Sequence, residues 1–155
     1  MKLVDILDDR LIEINLKADN KDEAIEKLAE KLKEAGYIKD VEGFKKDIYI
    51  REDQGTTGIG NYIAIPHGHS ESVDKIGVAI GKLEKEIEWE TLDDNGVKLV
   101  CLFAVSKDHG AAEQHLRLLA EFATKLGNDE AIQKLLNANN VEEIKKVFQQ
   151  KEEYV

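Results

Sequence analysis

Residues 97–105, VKLVCLFAV, form an apolar run with a single lysine near its start. An apolar run of this length without polar alternation is typical of a strand that is buried on both faces. We therefore predict a central strand here, with Cys101 as a small core residue. The turn-forming residues DDNG at 93–96 precede it, and residues 76–83 predict a neighbouring strand.

Helix and strand patterns alternate before this run. Residues 11–16, LIEINL, alternate apolar and polar and predict a half-buried strand. A helix is expected to begin after Asn20, with Glu23 as its capping partner, and to end at Gly36. Asp40 is expected to cap a second helix, whose apolar positions are Val41, Phe44, Ile48 and Ile50.

After the central strand the pattern is helical. A long helix is predicted over 111–126, a short one over 131–136 and a last one from Val141. The apolar stripe of the long helix is assigned to Leu116, Leu119, Ala120, Ala123 and Leu126. Alternating strands and helices in 155 residues predict a single α/β domain spanning 1–155.

Charge and composition exclude several classes of protein. The formal net charge is −10, whereas nucleic-acid binding needs a basic face, so no nucleic-acid partner is expected. No apolar run has membrane-spanning length, and the charged N-terminus lacks the apolar core of a signal peptide. One cysteine cannot form an internal disulfide, which favours the reducing cytoplasm.

Residues 51–69, REDQGTTGIGNYIAIPHGH, concentrate the groups that could carry chemistry. A loop is predicted over 55–61 and a short strand over 62–65, which Pro66 ends. His67 follows directly, and Gly68 would let another molecule approach. A neutral imidazole is a good nucleophile near pH 7, although a surface histidine in a turn remains the alternative.

Two further residues of this segment could bind an anion. Arg51 could grip phosphoryl oxygens, or it could simply pair with Glu52 or complement the helix dipole. Thr57 could donate its hydroxyl to an anion, or it could lie in an ordinary tight turn. The glycine pattern lacks the ending of a Walker loop, so neither a nucleotide nor another cofactor is expected.

His115 lies in the first turns of the long helix, at the edge of its apolar stripe. Ligands gather at the carboxyl ends of parallel strands, so His115 and His67 are expected to reach the same edge of the sheet. A half-buried structural histidine is the alternative. A zinc site built from His67 and His69 with His109, Glu113 or His115 ranks below phosphoryl chemistry, because His-x-His alone is a weak signal.

The segments RE at 51–52, TGIG at 57–60 and IAIPHG at 63–68 resemble the active-site region of type-2 enzyme IIA domains. These domains belong to the fructose and mannitol branch of the bacterial phosphoenolpyruvate-dependent sugar phosphotransferase system. The resemblance continues through IEW at 87–89, LD at 92–93, the strand 97–105 and HLRLL at 115–119. It implies a mixed, largely parallel sheet with helices on both faces.

The resemblance also implies an activity and site residues. His67 would accept a phosphoryl group from phospho-HPr and pass it to a IIB component, usually on a cysteine, while the IIC permease takes part indirectly. His115 would support the site by hydrogen bonding, Arg51 would stabilise the phosphoryl group, and Thr57 is a candidate hydrogen-bond donor to it. No metal or membrane insertion is implied, and the partners are expected to be separate polypeptides. A regulatory protein like the nitrogen-related IIA branch is the alternative.

Overall fold

The run that predicts a central strand lies in the middle of the sheet. The computed structural model describes residues 2–149, except for the side chain of His109. Within these residues the strands are β1 Ile12–Leu16, β2 Gly58–Gly60, β3 Ile63–Ala64, β4 His67–Ser70, β5 Gly77–Ile87 and β6 Val97–Ser106. Their order is β1-β5-β6-β3-β2, and β4 also pairs with β6.

The sheet is mixed. Strand β6 runs antiparallel to β5 but parallel to β3 and β4, and β1 runs parallel to β5. Strands β2 and β3 form an antiparallel pair. The prediction of a mixed, largely parallel sheet is therefore confirmed.

Helices cover both faces of this sheet, as predicted. They are α1 Lys21–Glu34, α2 Val41–Glu52, α3 His109–Lys125, α4 Asp129–Leu136 and α5 Val141–Gln149. The predicted cap of α1 is present, because Asn20 accepts a hydrogen bond from the backbone of Glu23 at 2.9 Å. Two short 3-10 segments, Leu3–Ile6 and Asp9–Leu11, were not predicted. Among residues 2–149 no helix is both long and apolar enough to cross a membrane.

Strand β6 contributes side chains to two separate cores. Val100, Leu102 and Ala104 pack on the side of α1 and α2. On the other side, Leu99, Cys101, Phe103 and Val105 pack with residues of α3, α4 and α5. There the ring of Phe122 meets Phe103 edge-on with 5.0 Å between centroids and stacks on Phe148. This alternation is why a strand without polar residues can lie at the centre of the fold.

The predicted apolar stripe of α3 is only partly correct: Leu126 is buried and Leu119 and Ala123 pack against the core, but Leu116 and Ala120 are exposed. Leu116 is 47% exposed, whereas Leu118, Phe122 and Leu126 are buried. These positions follow His115 at helical spacing, so His115 starts the buried stripe rather than lying at its edge. On α2, Ile50 is likewise 50% exposed and not part of the core.

The segment before His67 also differs from its prediction. Residues Gly58–Gly60 form β2, although a loop was expected there. Asn61 and Tyr62 both have positive φ, at 55° and 67°, which is typical of the tight turn of a β-hairpin. Tyr62 is therefore in the turn rather than in the strand, and β3 has only two residues.

Candidate functional site

His67 begins a strand rather than ending one. Strand β4 places His67 opposite Phe103 and Gly68 opposite Ala104 on β6. Directly paired residues share a face of the sheet, so His67 points to the same side as Phe103, where α3 packs. Since β4 runs parallel to β6, His67 lies beside the C-terminal half of β6, the strand from which the chain enters α3.

Gly68 fixes how closely β4 approaches α2. A Cβ atom at this position would lie 2.5 Å from Cε1 of Phe44 and 3.0 Å from Cγ1 of Ile48, both fully buried. The glycine therefore allows the strand that carries His67 to lie directly on the helix that carries Arg51.

We expect Gly68→Ala to lower the free energy of unfolding by about 1–3 kcal/mol, because the added methyl overpacks a rigid core. Urea unfolding measures this change. Gly110→Ala is the matched control, since its Cβ would meet only Asp108 Oδ1 at 3.7 Å. Equal midpoints for the two variants would show that the contact between β4 and α2 is looser than described.

The backbone determines which ring nitrogen of His67 carries the proton. Nδ1 of His67 lies 3.3 Å from the carbonyl oxygen of Ile65. A carbonyl can only accept a hydrogen bond, so Nδ1 carries the proton and Nε2 keeps its lone pair. Burial lowers the pKa of His67 below its usual value, so the ring is neutral near pH 7. The half-buried imidazole thus presents Nε2 as a nucleophile.

His115 has the opposite tautomer. The backbone N–H of Ser106 donates to Nδ1 of His115 at 3.1 Å, so the ring proton lies on Nε2. The residue is only 5% exposed, and burial lowers its pKa, although Asp108 acts in the opposite direction. His115 is therefore a neutral ring whose Nε2–H remains available to donate.

Arg51 and Glu52, at the end of α2, place opposite charges near His67. Nη1 of Arg51 donates to the carbonyl oxygen of Gly55 at 2.9 Å, which holds the guanidinium over the loop. Beyond the effect of burial, the charge of Arg51 lowers the pKa of His67 and that of Glu52 raises it. Arg51 is thus close enough to attract an anion bound to His67.

Thr57 does not present a free hydroxyl. Thr57 is buried, with 4% of its surface exposed, and its hydroxyl donates a hydrogen bond to Oε1 of Glu52. Lys21 pairs with the other oxygen of Glu52 at 2.7 Å. Glu52 thereby ties the loop before β2 to the start of α1. No sequence pattern indicates this role for Glu52, whose position next to Arg51 is the only signal in the sequence that points to it.

Cys101 and the candidate zinc ligands are the remaining residues with possible chemistry. Cys101 is fully buried, and burial raises the pKa of its thiol, so it is not a nucleophile. The side chain of His109 lies outside what the structure describes. Among the side chains that the structure does describe, no group of three or more His, Cys, Asp or Glu could hold a metal ion. The alternative of a zinc site therefore gains no support here.

The two site histidines make stability depend on pH. Burial is the largest cause that lowers the pKa of each ring in the folded protein. The histidines of the unfolded chain have the usual pKa of about 6.5, so below that pH the unfolded chain binds more protons than the folded protein. We expect the free energy of unfolding to be retained above that pH and to fall as the pH drops below it. Urea unfolding at about pH 7.5 and about pH 5.5 measures the loss, on either side of that pKa.

The double variant with His67→Gln and His115→Gln is the control for this dependence. It removes both rings and should lose less stability over the same pH interval than the wild-type protein. Identical losses would mean that these two rings are not shielded from protons by folding.

The chain is similar in sequence to known proteins. Residues 5–151 match the family model of the phosphoenolpyruvate-dependent sugar phosphotransferase system, EIIA 2. The chain belongs to this family. The EIIA 2 chain is 32% identical over 150 residues to the PTS system fructose-specific EIIABC component of Bacillus subtilis. The match covers 97% of this chain but only 23% of that protein.

Two more comparisons involve proteins of similar length to this EIIA 2 chain. A nitrogen regulatory protein of Bradyrhizobium diazoefficiens is 31% identical over 148 residues, which cover 96% of this chain and 95% of that protein. The fold matches a structure of the complex of enzyme IIAMTL and phosphorylated enzyme IIBMTL from Escherichia coli, with a TM-score of 0.77 and 24% identity. That match covers 92% of this chain and 96% of the other.

Proposed function

We propose that this EIIA 2 protein is a phosphotransferase that carries a phosphoryl group on Nε2 of His67. It accepts the group from phospho-HPr and passes it to a IIB component in sugar uptake and phosphorylation of the fructose or mannitol type. The observation that carries the proposal is the pair of opposite tautomers, with a lone pair on His67 and an N–H on His115, on the face of the sheet that α3 covers.

The bonds formed and broken in this transfer balance without a nucleotide or a metal ion. The lone pair of Nε2 forms a bond to phosphorus while the N–P bond of the donor breaks and its electron pair returns to the donor imidazole. His67 keeps its Nδ1–H, donated to Ile65, so the phosphorylated ring is cationic. Glu52, whose charge favours the cationic form of His67, offsets that positive charge. On passage to IIB, a cysteine thiolate forms a bond to phosphorus while the Nε2–P bond breaks and its electron pair returns to Nε2.

The contacts described above suggest which side chains would bind the phosphoryl group. Arg51 supplies positive charge from the end of α2, and the Nε2–H of His115 supplies a donor without adding net charge. Thr57 has its hydroxyl engaged by Glu52, so we assign it to positioning Glu52 rather than to holding the phosphoryl group. Positioned donors of this kind are the main demand of phosphoryl transfer.

Docking of the partners would use the surface around these residues. Leu116 follows His115 and Ile50 precedes Arg51, and both expose apolar side chains. Exposed apolar side chains next in sequence to the site residues are candidates for the apolar contacts at the centre of such an interface. The complex of enzyme IIAMTL with phosphorylated enzyme IIBMTL supports a IIB partner. The IIC permease would be reached only through IIB, and the location proposed is the cytoplasm.

Incubation with phosphoenolpyruvate, enzyme I and HPr tests the proposal. The protein should gain one acid-labile phosphate, detected by intact mass, and lose it on addition of a cognate IIB component. Omission of HPr is the control and should leave the protein unlabelled. Wild-type protein that stays unlabelled in the complete mixture would overturn the proposal.

A regulatory role is the second candidate, and the full-length similarity to a nitrogen regulatory protein favours it. Such a protein would accept the same phosphate but act by binding other proteins. Labelled protein offered to fructose- and mannitol-type IIB components discriminates the two. Transfer to a IIB cysteine supports the sugar pathway, whereas retention of the label with every such IIB favours regulation.

A further inference from the structure

A third imidazole, that of His69, lies on the same face of β4 as His67. Side chains two residues apart on a strand point to the same side, with Cα atoms about 6.6 Å apart. Gly68, between them, faces Phe44 and Ile48 on α2, so the two histidines face the opposite side. His69 is exposed, whereas His67 is half-buried. His69 therefore lies on the solvent side of the reactive ring.

The strand register also brings His69 towards His115. His69 pairs with Val105, and the next residue, Ser106, donates its backbone N–H to His115. Burial lowers the pKa of His67 and of His115, and the charge of His69 lowers both further. His69 is thus within electrostatic range of both site histidines. From the interior outward, the order of exposure is His115, His67, His69.

A phosphoryl group in transfer spreads its charge over three equatorial oxygens. The arrangement described above supplies two donors, Arg51 from the end of α2 and His115 from the interior. An imidazole has at least one N–H in either protonation state, so His69 can donate whether neutral or charged. Its position on the open side matches the direction from which a docked protein delivers the group.

We infer that His69 is a third donor to the phosphoryl group on His67, contacting it from the solvent side. This inference rests on the proposed function, since it needs His67 to be phosphorylated. Hydrogen bonds to charged groups are stronger than neutral ones. Loss of this one should slow phosphorylation by phospho-HPr about tenfold in kcat/KM, mainly through kcat, because the contact forms with the transferring group.

The test compares His69→Ala with His69→Gln, which keeps an N–H donor. His69→Ala should be phosphorylated about tenfold more slowly, with the rate mostly restored in His69→Gln. Glu71→Ala, which shortens an exposed side chain in the turn after β4, is the control and should match the wild type. Ring ¹⁵N resonances of His69 should also move when His67 becomes phosphorylated.

The outcomes separate this inference from the proposed function. Wild-type protein without label would overturn the proposed function and the inference with it. Labelled wild-type protein with a His69→Ala variant of equal rate would overturn the inference alone. A His69→Gln variant as slow as His69→Ala would overturn the donor role, as would His69 resonances that phosphorylation leaves in place.

Discussion

His67→Ala should abolish labelling from phosphoenolpyruvate completely. Alanine has no ring nitrogen, and the next imidazole on the same strand face, His69, lacks the backbone carbonyl contact that His67 makes with Ile65 in the structure. Cys101, the single cysteine of the sequence, is fully buried and cannot take the place of His67. Intact mass after incubation with enzyme I and HPr measures the loss as the absence of any added phosphate.

His69→Ala is the control for this experiment, because it removes an imidazole two residues along the same face of β4. It should still acquire one phosphate at completion, although more slowly. The urea midpoint of His67→Ala, measured alongside, should show a folded protein. Label that persists in folded His67→Ala would place the acceptor elsewhere in the chain.

His115→Asn should slow phosphoryl transfer about 100-fold, the typical cost of removing one donor aimed at developing negative charge. Asparagine Oδ1 is as many bonds from Cβ as Nδ1 of histidine, so it can still accept from the backbone N–H of Ser106. The Nε2–H of His115 has no counterpart in asparagine. Stability should therefore be largely kept while the rate falls, which single-turnover kinetics and urea unfolding measure together.

His115→Ala is the companion variant. It loses the acceptor as well as the donor and leaves the Ser106 N–H unpaired in a buried position, at a cost of about 1–3 kcal/mol in stability. If His115→Asn transferred phosphate at the wild-type rate, His115 would be a structural residue only. The two variants together thus distinguish the structural role of Nδ1 of His115 from the donor role of its Nε2–H.

The central strand and the helix starts could be predicted because their causes are local. Strand β6 is apolar on both faces, and the cap at Asn20 needs only neighbouring residues. The stripe of α3 was predicted only in part because HLRLL at 115–119 offers two overlapping apolar patterns, and burial in the core that contains Phe103 selects the one with Leu118. Strands β2, β3 and β4 are too short to show a sequence period, and the positions of β3 and β4 depend on pairing with the distant strand β6.

The site could be predicted in part for the same reason. His67 and Arg51 lie in one contiguous segment with unusual chemistry. The contacts of Ile65 and Ser106 with the two histidines use main-chain atoms, which any residue type provides. The bond between Thr57 and Glu52 requires the loop to fold back on α2. None of these contacts has a sequence signature of its own.

The choice of reactive nitrogen has a consequence for engineering this protein. Both tautomers are set by main-chain groups: the Ile65 carbonyl, which every amino acid provides, and the Ser106 N–H, which every amino acid except proline provides. Substitutions at 65 or 106 that preserve the strands would leave the proposed phosphorylation on Nε2 of His67. Variants of the surrounding surface could therefore change which partners bind while the proposed phosphorylation stays on Nε2 of His67. Phosphorylation of Nδ1 instead would require a different backbone path for β4.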